Sequence, residues 1–345
     1  MKTLVVDKNG GLQVKEVELP EFNECQALVK TLSCGICNGT DAKLIHRSFK
    51  NFGTEKYPLM LGHEGVGHVV KLGGKVKTFR LGDIVLLPFV DARQGLGSGW
   101  GAFSEYGVVC DKDFWDTASY GSVPECAYAQ SVLPEVIDPV DAAMIITLRE
   151  VLSSIKRFGI DRNASVAIFG CGPVGLTFIK IMKLLGVKQI IAFDIVPGKL
   201  REAQNMGADY AFNSNEVDYL AACREVYPQG VGYVIDAVGN SAIINQAMPL
   251  LADQGKICCY GISANLSAEI AWSQAPYNWQ LQFQQFPSKV EEGLAHDQII
   301  KWLEAGLIDL KDFISNYFPF EDILMAFEQL ENRAISKKGI VVYPK

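Results

Sequence analysis

The stretch Ser165-Val-Ala-Ile-Phe-Gly170-Cys-Gly-Pro-Val-Gly175 decides the fold of this chain. A short run of apolar and β-branched residues, typical of a strand, leads directly into three glycines with the spacing Gly-x-Gly-x-x-Gly. Gly170 permits a tight turn, Gly172 lets the backbone approach a pyrophosphate, and Gly175 lets a following helix pack closely on the strand. The free N–H groups at the start of that helix attract phosphate. The pattern predicts a dinucleotide-binding turn.

Strand-like and helix-like segments alternate around this turn. The predicted order is a helix over 142–158, the strand 165–169, a helix over 174–185, a strand over 189–193, a helix over 198–206, and strands over 233–236 and 256–260. Such alternation is typical of a parallel sheet with helices on both faces. The predicted fold class is therefore α/β, with a doubly wound parallel sheet in the middle of the chain.

A carboxylate directly after the predicted strand 189–193 indicates which dinucleotide binds. Asp194 stands 24 residues after Gly170, near the spacing of about 20 at which an acidic residue binds the ribose. It accepts hydrogen bonds from both ribose hydroxyls and repels a 2′-phosphate, and no arginine follows it directly. The sequence therefore predicts NAD rather than NADP. The other predicted cofactor contacts are Pro173, Val174, Lys199, Val238 and Gly261.

The first 110 residues have a different character, with short strand-like runs separated by turns. Two groups of metal-ligating residue types lie there, Cys34-Gly-Ile-Cys37 and His63-Glu64. Thiolate, imidazole and carboxylate together form a borderline-soft donor set that suits Zn²⁺. Each group by itself is weak evidence, because a Cys-x-x-Cys pair is commonly a coincidence or half of a larger zinc site.

In combination, these motifs resemble those of the medium-chain dehydrogenase/reductase superfamily. Within it, the chain is similar to the zinc-dependent alcohol and polyol dehydrogenases of the sorbitol or iditol dehydrogenase type. The matching motifs are Cys37 with Thr40-Asp41, Gly62-His63-Glu64-x-x-Gly67, Gly82-Asp83, the glycine turn and the closing residues 318–339. The resemblance implies a GroES-like catalytic domain, formed by residues 1–149 and 289–345, around a Rossmann NAD-binding domain at 150–288.

The resemblance also implies roles for individual residues. Cys37 and His63 would be zinc ligands, and Glu64 a ligand or a near-ligand that exchanges with water. Asp41 would orient the His63 ring. Thr40 would take the proton from the bound alcohol.

The chain departs from the family pattern between the thiol and the hydroxyl. Asn38 and Gly39 both precede Thr40, one residue more than family members often have. Either the loop bulges and Cys37 stays the ligand, which we favour, or Cys34 takes its place.

Two further departures concern the proton relay and the fourth ligand. The position where family members often carry a proton-relaying histidine holds Lys43, which needs a lowered pKa for that role; His46 is the other candidate. The Glu-Pro-Leu of polyol dehydrogenases is replaced by Ile146-Thr-Leu. Glu150, one helical turn later, can face the same cleft, and we predict it as the fourth acid, a ligand or a holder of water.

Composition excludes several other classes. The chain has 345 residues, enough for about two domains, with 49% hydrophobic and 21% charged residues, which argues against disorder. The net charge is −7, so neither nucleic acid nor an anionic membrane is expected as the main partner. No stretch approaches about 18 apolar residues, and the first residues do not fit a signal peptide. We therefore expect a cytoplasmic protein whose nine cysteines are reduced thiols or metal ligands.

The predicted reaction is a reversible hydride transfer between NAD and a secondary alcohol of a polyol or sugar-like small molecule, with zinc as Lewis acid. The resembled family's optional structural zinc needs four closely spaced cysteines after Gly82-Asp83, and residues 83–109 contain no cysteine. The resemblance therefore implies one catalytic zinc per chain and no structural zinc. The resemblance implies a homodimer or homotetramer. Two alternatives stay open: a zinc-free quinone or enone reductase of the same fold, and a non-catalytic NAD-binding protein with a decayed site.

Overall fold

A computed structural model describes residues 1–344 of the chain. The chain divides into two compact units. The first comprises Met1–Arg149 together with the chain from Ser288 onward, and the second comprises Glu150–Pro287. The helix Met144–Phe158 contains the first junction between them. The second unit is thus an insertion into the first.

The elements follow one another in chain order. The strands are β1 (Lys2–Val6), β2 (Leu12–Glu16), β3 (Gln26–Ile36), β4 (Leu59–Met60), β5 (Glu64–Leu72), β6 (Ile84–Leu86), β7 (Gly97–Ser98), β8 (Tyr106–Cys110), β9 (Val166–Phe169), β10 (Ile190–Asp194), β11 (Tyr210–Asn213), β12 (Val231–Asp236), β13 (Leu251–Cys259), β14 (Trp279–Phe283), β15 (Ile314–Pro319) and β16 (Lys338–Val342). The α-helices are α1 (Asp41–Ile45), α2 (Thr117–Tyr120), α3 (Met144–Phe158), α4 (Pro173–Leu184), α5 (Pro197–Asn205), α6 (Tyr219–Val226), α7 (Ala242–Ala247), α8 (Lys289–Leu294), α9 (His296–Glu304) and α10 (Ile323–Glu331).

The first unit contains two sheets. One has the strand order β2-β1-β4-β7, and the other has the order β15-β16-β3-β5-β6 with β8 also paired to β3. Strand β3 is almost wholly buried, and only Gln26 and Lys30 are half-buried. It pairs antiparallel with β5, which sets Gly35 opposite Glu64, and with β16, which sets Gly339 opposite Ile36. The C-terminal strand is therefore a neighbour of the strand that leads to Cys37.

The second unit is built on one parallel sheet with the order β11-β10-β9-β12-β13-β14. Numbered within the unit this is 3-2-1-4-5-6, the order of a Rossmann fold. Successive strands are added toward one edge of the sheet from β9 to β11 and toward the other edge from β12 to β14, so the strand order reverses between β9 and β12. Ligands of such sheets bind at the carboxyl ends of the strands at this reversal, and the glycine turn follows β9 there. The α/β class predicted from the sequence is confirmed.

Some elements differ from the prediction. Two late helices that the predicted order does not include, α8 and α9, are separated at Ala295. Strands β14 and β15 were not predicted; β14 lies at the edge of the parallel sheet, and its mixed burial gives no continuous apolar run. Within residues 1–344, no helix combines the length and the apolar character that crossing a bilayer requires.

Candidate active site

Three side chains with metal-ligating atoms come together in the first unit. The ligand atoms of Cys37, His63 and Glu64 all lie within 4.8 Å of one another. Cys37 directly follows β3, and Glu64 begins β5. Because β3 and β5 are paired with Gly35 opposite Glu64, two segments 26 residues apart in sequence meet at this point. We call these three residues the metal cluster.

Asp41 lies behind the metal cluster and contacts two of its members. Its Oδ1 is 3.5 Å from Nδ1 of His63, and its Oδ2 accepts the backbone N–H of Cys37 at 2.9 Å. Neither Asp41 Oδ1 nor His63 Nδ1 has a hydrogen-bond partner among the described residues, although both atoms are buried. The other ring nitrogen, Nε2, is 4.0 Å from Oε1 of Glu64. Asp41 thus positions both the imidazole and the cysteine loop.

The surroundings of His63 favour positive charge. Burial by itself lowers the pKa of His63, but the neighbouring Asp41 carboxylate and the Cys37 side chain outweigh it and raise the pKa well above its ordinary value. The Asp41 carboxylate and the Cys37 sulfur beside the imidazole also suit a bound cation.

Glu64 is held by a buried lysine from the end of the chain. Lys338 Nζ donates to both carboxylate oxygens, at 2.8 and 2.7 Å, and the Thr147 hydroxyl donates to Oε1 at 3.4 Å. Glu64 and Lys338 are 1% and 3% exposed. Burial raises the pKa of Glu64, but Lys338 outweighs it and holds that pKa below its ordinary value. Glu64 is therefore ionised and shared between the ammonium group and the metal cluster.

The metal cluster fits a zinc ion. Catalytic zinc sites take three protein ligands of the thiolate, imidazole and carboxylate types and leave one position for substrate or water. A carboxylate behind a ligating histidine, as Asp41 stands behind His63, is the usual support of such a site. Among residues 1–344, no other group of three such side chains was found at this spacing.

The structure distinguishes between the two candidate thiols. Cys34 is completely buried, its thiol donates to the carbonyl of Gly35 at 3.7 Å, and burial raises its pKa well above the ordinary value. Such a thiol resists the ionisation that a zinc ligand needs. Cys37 is the cysteine that lies beside His63 and Glu64. This geometry favours Cys37.

The predicted proton-relay residues lie on or next to α1. Thr40 is 3% exposed and precedes α1, and its hydroxyl does not cap that helix. Lys43 is half-buried, and burial lowers its pKa while Cys37 acts in the opposite direction. His46 is at the exposed end of α1, where its Nε2 lies 2.9 Å from Glu331 Oε1. This placement does not favour a relay through His46.

Glu150 is the first residue of the second unit. Its Oε2 accepts a hydrogen bond from the Tyr260 hydroxyl at 3.5 Å, and its backbone carbonyl accepts the Ser153 and Ser154 hydroxyls. It is not a member of the metal cluster, and Ile146 is fully buried. The fourth-acid role of Glu150 stays a prediction.

In the second unit, the three glycines form the turn between β9 and α4. A Cβ at Gly175 would lie 1.9 Å from the Gly170 carbonyl oxygen, and Gly170 has a φ of +96°. Both positions require glycine for the backbone itself. A Cβ at Gly172 meets no atom within 4 Å. Gly172 therefore faces open space at the N-terminus of α4, where Pro173 is the first residue, and the turn fits a pyrophosphate.

The remaining predicted cofactor residues lie at the same edge of the sheet. Asp194 ends β10; its Oδ2 accepts the Cys171 N–H at 2.7 Å, so it also holds the glycine turn in place. Val238 follows β12 and is 53% exposed, and Gly261 follows β13. Lys199 is half-buried on α5. The carboxyl ends of four neighbouring strands thus bring these positions together.

Two family models match the chain. Residues 23–118 match the alcohol dehydrogenase GroES-like domain, and residues 173–283 match the zinc-binding dehydrogenase domain. The chain belongs to the zinc-binding medium-chain alcohol dehydrogenases. The predicted cofactors, zinc and NAD, are those of this family.

Several proteins are similar to this chain over nearly their whole length. The starvation-sensing protein RspB of Escherichia coli K12 is 27% identical, with 95% of this chain and 96% of RspB covered. The sorbitol dehydrogenase of Bacillus subtilis is 24% identical, with 100% and 97% covered. The crystal structure of the rspB alcohol dehydrogenase of E. coli CFT073 in complex with NADH has a TM-score of 0.79 at 24% identity, with 99% of each chain covered.

Two residues that contact the metal cluster were missed by sequence reasoning. Lys338 belongs to the closing motif quoted for the resemblance, but nothing in the sequence shows that it contacts Glu64, 274 residues away. Trp100 lies in a glycine-rich loop, and its ring centroid is 5.5 Å from that of His63. The only signal for Trp100 was a bulky residue between two glycines.

Proposed function

We propose that this dehydrogenase transfers a hydride between NAD and a secondary alcohol of a polyol or sugar-like substrate at the metal cluster. The observation that carries the proposal is the meeting of Cys37, His63 and Glu64 within 4.8 Å, with Asp41 and Lys338 buried behind them. A zinc ion held there would supply Lewis acidity to the alcohol oxygen, and NAD at the glycine turn would accept the hydride.

The protein's own residues position these groups and move the proton. Asp41 fixes the orientation of the His63 ring, and Lys338 keeps Glu64 ionised. Thr40 accepts the hydroxyl proton of the substrate, and Lys43 passes it on. The burial that lowers the pKa of Lys43 supports this step, because a neutral amine is needed to accept a proton.

The proposed substrate class and the proposed choice of NAD over NADP rest on different observations. Sorbitol dehydrogenase of B. subtilis is among the full-length relatives, which supports a polyol or a sugar-like alcohol. Asp194 at the end of β10, with no arginine directly after it, supports NAD over NADP. We also propose that the protein is a homodimer or homotetramer.

The two alternative functions, a zinc-free reductase and a non-catalytic NAD-binding protein, would lead us to expect other residues at the metal cluster. Zinc-free quinone or enone reductases lack the cysteine and histidine ligands, and this chain has both in contact. A decayed, non-catalytic protein draws support from Ile146, which stands where polyol dehydrogenases often have an acid. The cluster and its buried supports favour an active enzyme.

Metal content and turnover together test the proposal. Elemental mass spectrometry of purified protein never exposed to chelator should give about one zinc per chain. The same preparation, mixed with NAD and a panel of polyols and sugars, should form NADH. Zinc without turnover on any alcohol would indicate a decayed site. Absence of zinc would overturn the proposal and direct the search to quinones and enones.

A further inference from the structure

Three aromatic side chains adjoin the metal cluster in the first unit. The ring centroid of Trp100 is 5.5 Å from that of His63, and that of Phe52 is 5.9 Å from Trp100. Phe49 completes the group, at 5.5 Å from Phe52 and 6.4 Å from Trp100. We call Phe49, Phe52 and Trp100 the aromatic wall. All three side chains are half-buried: they pack on the core of the unit and also reach its surface.

The backbone of Trp100 adopts a strained conformation. Its φ is +68°, a conformation that bulky residues rarely adopt. Its carbonyl accepts the Val90 N–H at 2.9 Å, which fixes the peptide in this orientation. Glycine, which stands on both sides of it, would adopt this conformation at lower cost. Strained residues concentrate at functional sites, and Trp100 is a strained residue whose ring contacts the candidate zinc ligand His63.

The chemistry of the aromatic wall selects a particular kind of alcohol. Aromatic faces carry partial negative charge and attract the polarised C–H groups of a flat face. A sugar ring or cyclitol presents such a face with its C–H groups already in place. An open-chain polyol must lose more conformational freedom to present one. The Lys56 ammonium, 4.6 Å from the Phe52 ring centroid, adds a hydrogen-bond donor beside the aromatic wall for hydroxyl groups.

We propose that the substrate is a cyclic polyhydroxy alcohol whose C–H face stacks on the aromatic wall, with Trp100 as the main residue that determines this specificity. The inference rests on the proposed function, since it concerns the substrate of the same site.

The test measures binding and turnover separately in the zinc-loaded protein. Binding of myo-inositol and D-glucose, and of the open-chain sorbitol and galactitol, is followed by tryptophan fluorescence without NAD. Turnover of the same four compounds is followed with NAD. The variants are Trp100→Leu and Trp100→Phe, which keep a side chain at the strained position, and only the second keeps a ring. Trp115→Leu, which removes a ring that packs at a tilt against Tyr120, is the control.

The wild type should bind and oxidise at least one cyclic compound in preference to both open-chain ones. Trp100→Leu should raise its KM roughly tenfold with little change in kcat and unchanged zinc content, Trp100→Phe should recover most of the loss, and Trp115→Leu should have no effect. A preference for open-chain polyols, or a KM that Trp100→Leu leaves unchanged, would overturn the inference. If cyclic compounds quench the fluorescence of wild type but not of Trp100→Phe, and no alcohol is oxidised, the proposed function fails while the stacking proposal stands. If no cyclic compound binds and none of the four compounds is oxidised, both the inference and the proposed function are overturned.

Discussion

The glycine turn and the metal cluster assemble their binding groups in opposite ways. The turn uses six consecutive residues, Gly170–Gly175, and offers backbone N–H groups at the start of a helix. The cluster uses side chains from the end of β3 and the start of β5, and it depends on Lys338 from β16. A site made of local backbone tolerates change elsewhere in the chain. A site made of side chains from three strands depends on the register of a whole sheet.

The largest effect is expected from removing a ligand of the metal cluster, a change that leaves the glycine turn intact. Cys37→Ala and His63→Ala should each abolish zinc binding and lower kcat/KM by on the order of 10³-fold or more, because Lewis-acid stabilisation by the metal is worth several kcal/mol. NADH binding should persist, since the glycine turn belongs to the other unit. Cys34→Ala is the matched control. If Cys34→Ala lost the zinc and Cys37→Ala kept it, our choice of thiolate would be wrong.

Removing the lysine behind the cluster should destabilise the fold. Lys338→Met leaves Glu64 ionised and buried without its partner, which typically costs about 3–5 kcal/mol. Urea unfolding of the zinc-free protein measures this loss. Adding Glu64→Gln to Lys338→Met should recover a large part of it, because the buried charge is then gone. The exposed Lys311→Met serves as control, and equal stability of all variants would contradict the buried ion pair.

A carboxylate beside the glycine turn should make stability depend on pH. Burial raises the pKa of Asp236 to about 6, although its Oδ1 accepts the N–H groups of Val238 and Gly239 at 2.8 and 2.9 Å. The folded carboxyl group therefore binds its proton more tightly than the unfolded one, whose pKa is about 3.9. This contribution to stability is present below pH 4 and is lost as pH rises to 6 and above, by up to about 3 kcal/mol.

Asp236→Asn keeps the acceptor oxygen and removes the charge. The variant should be more stable than wild type at pH 7, by about 1–3 kcal/mol, and its stability should change less between pH 4 and 7. Unfolding midpoints measured across this range check both points, with the exposed Asp253→Asn as control. A variant less stable than wild type at pH 7 would show that the carboxylate is needed in its charged form.

The smallest expected effect distinguishes the roles of two glycines within the turn. Gly172→Ala should leave stability unchanged, because its Cβ meets no atom within 4 Å, yet weaken NADH binding about 10- to 100-fold by occupying the space of the pyrophosphate. Gly175→Ala should instead destabilise the protein, since its Cβ would lie 1.9 Å from a carbonyl oxygen. Calorimetric titration with NADH and thermal unfolding separate the two. Unchanged NADH affinity in Gly172→Ala would place the dinucleotide elsewhere.

Two residues singled out in the sequence have contacts in the tertiary structure that the sequence did not predict. His46 was the second candidate for the proton relay, and that role stays a prediction; its Nε2 lies 2.9 Å from Glu331 of α10, a contact the sequence did not indicate. The closing Lys338-Gly339 was quoted only as part of a motif, and its contact with Glu64 needs β16 beside β3. In both cases the partner comes from the last 30 residues, which no spacing argument connects with residues 40–64.

The sequence by itself determined the parallel α/β unit, the glycine turn and the residue types of a zinc site. These depend on hydrophobic periodicity and on backbone hydrogen bonds between near neighbours, so they are present in any short window of the chain. Only the tertiary structure decided that Cys37 rather than Cys34 meets His63, that Lys338 neutralises Glu64, and that Trp100 packs on the His63 ring. Those contacts join distant segments, and their geometry follows from strand register and core packing, which no local pattern specifies.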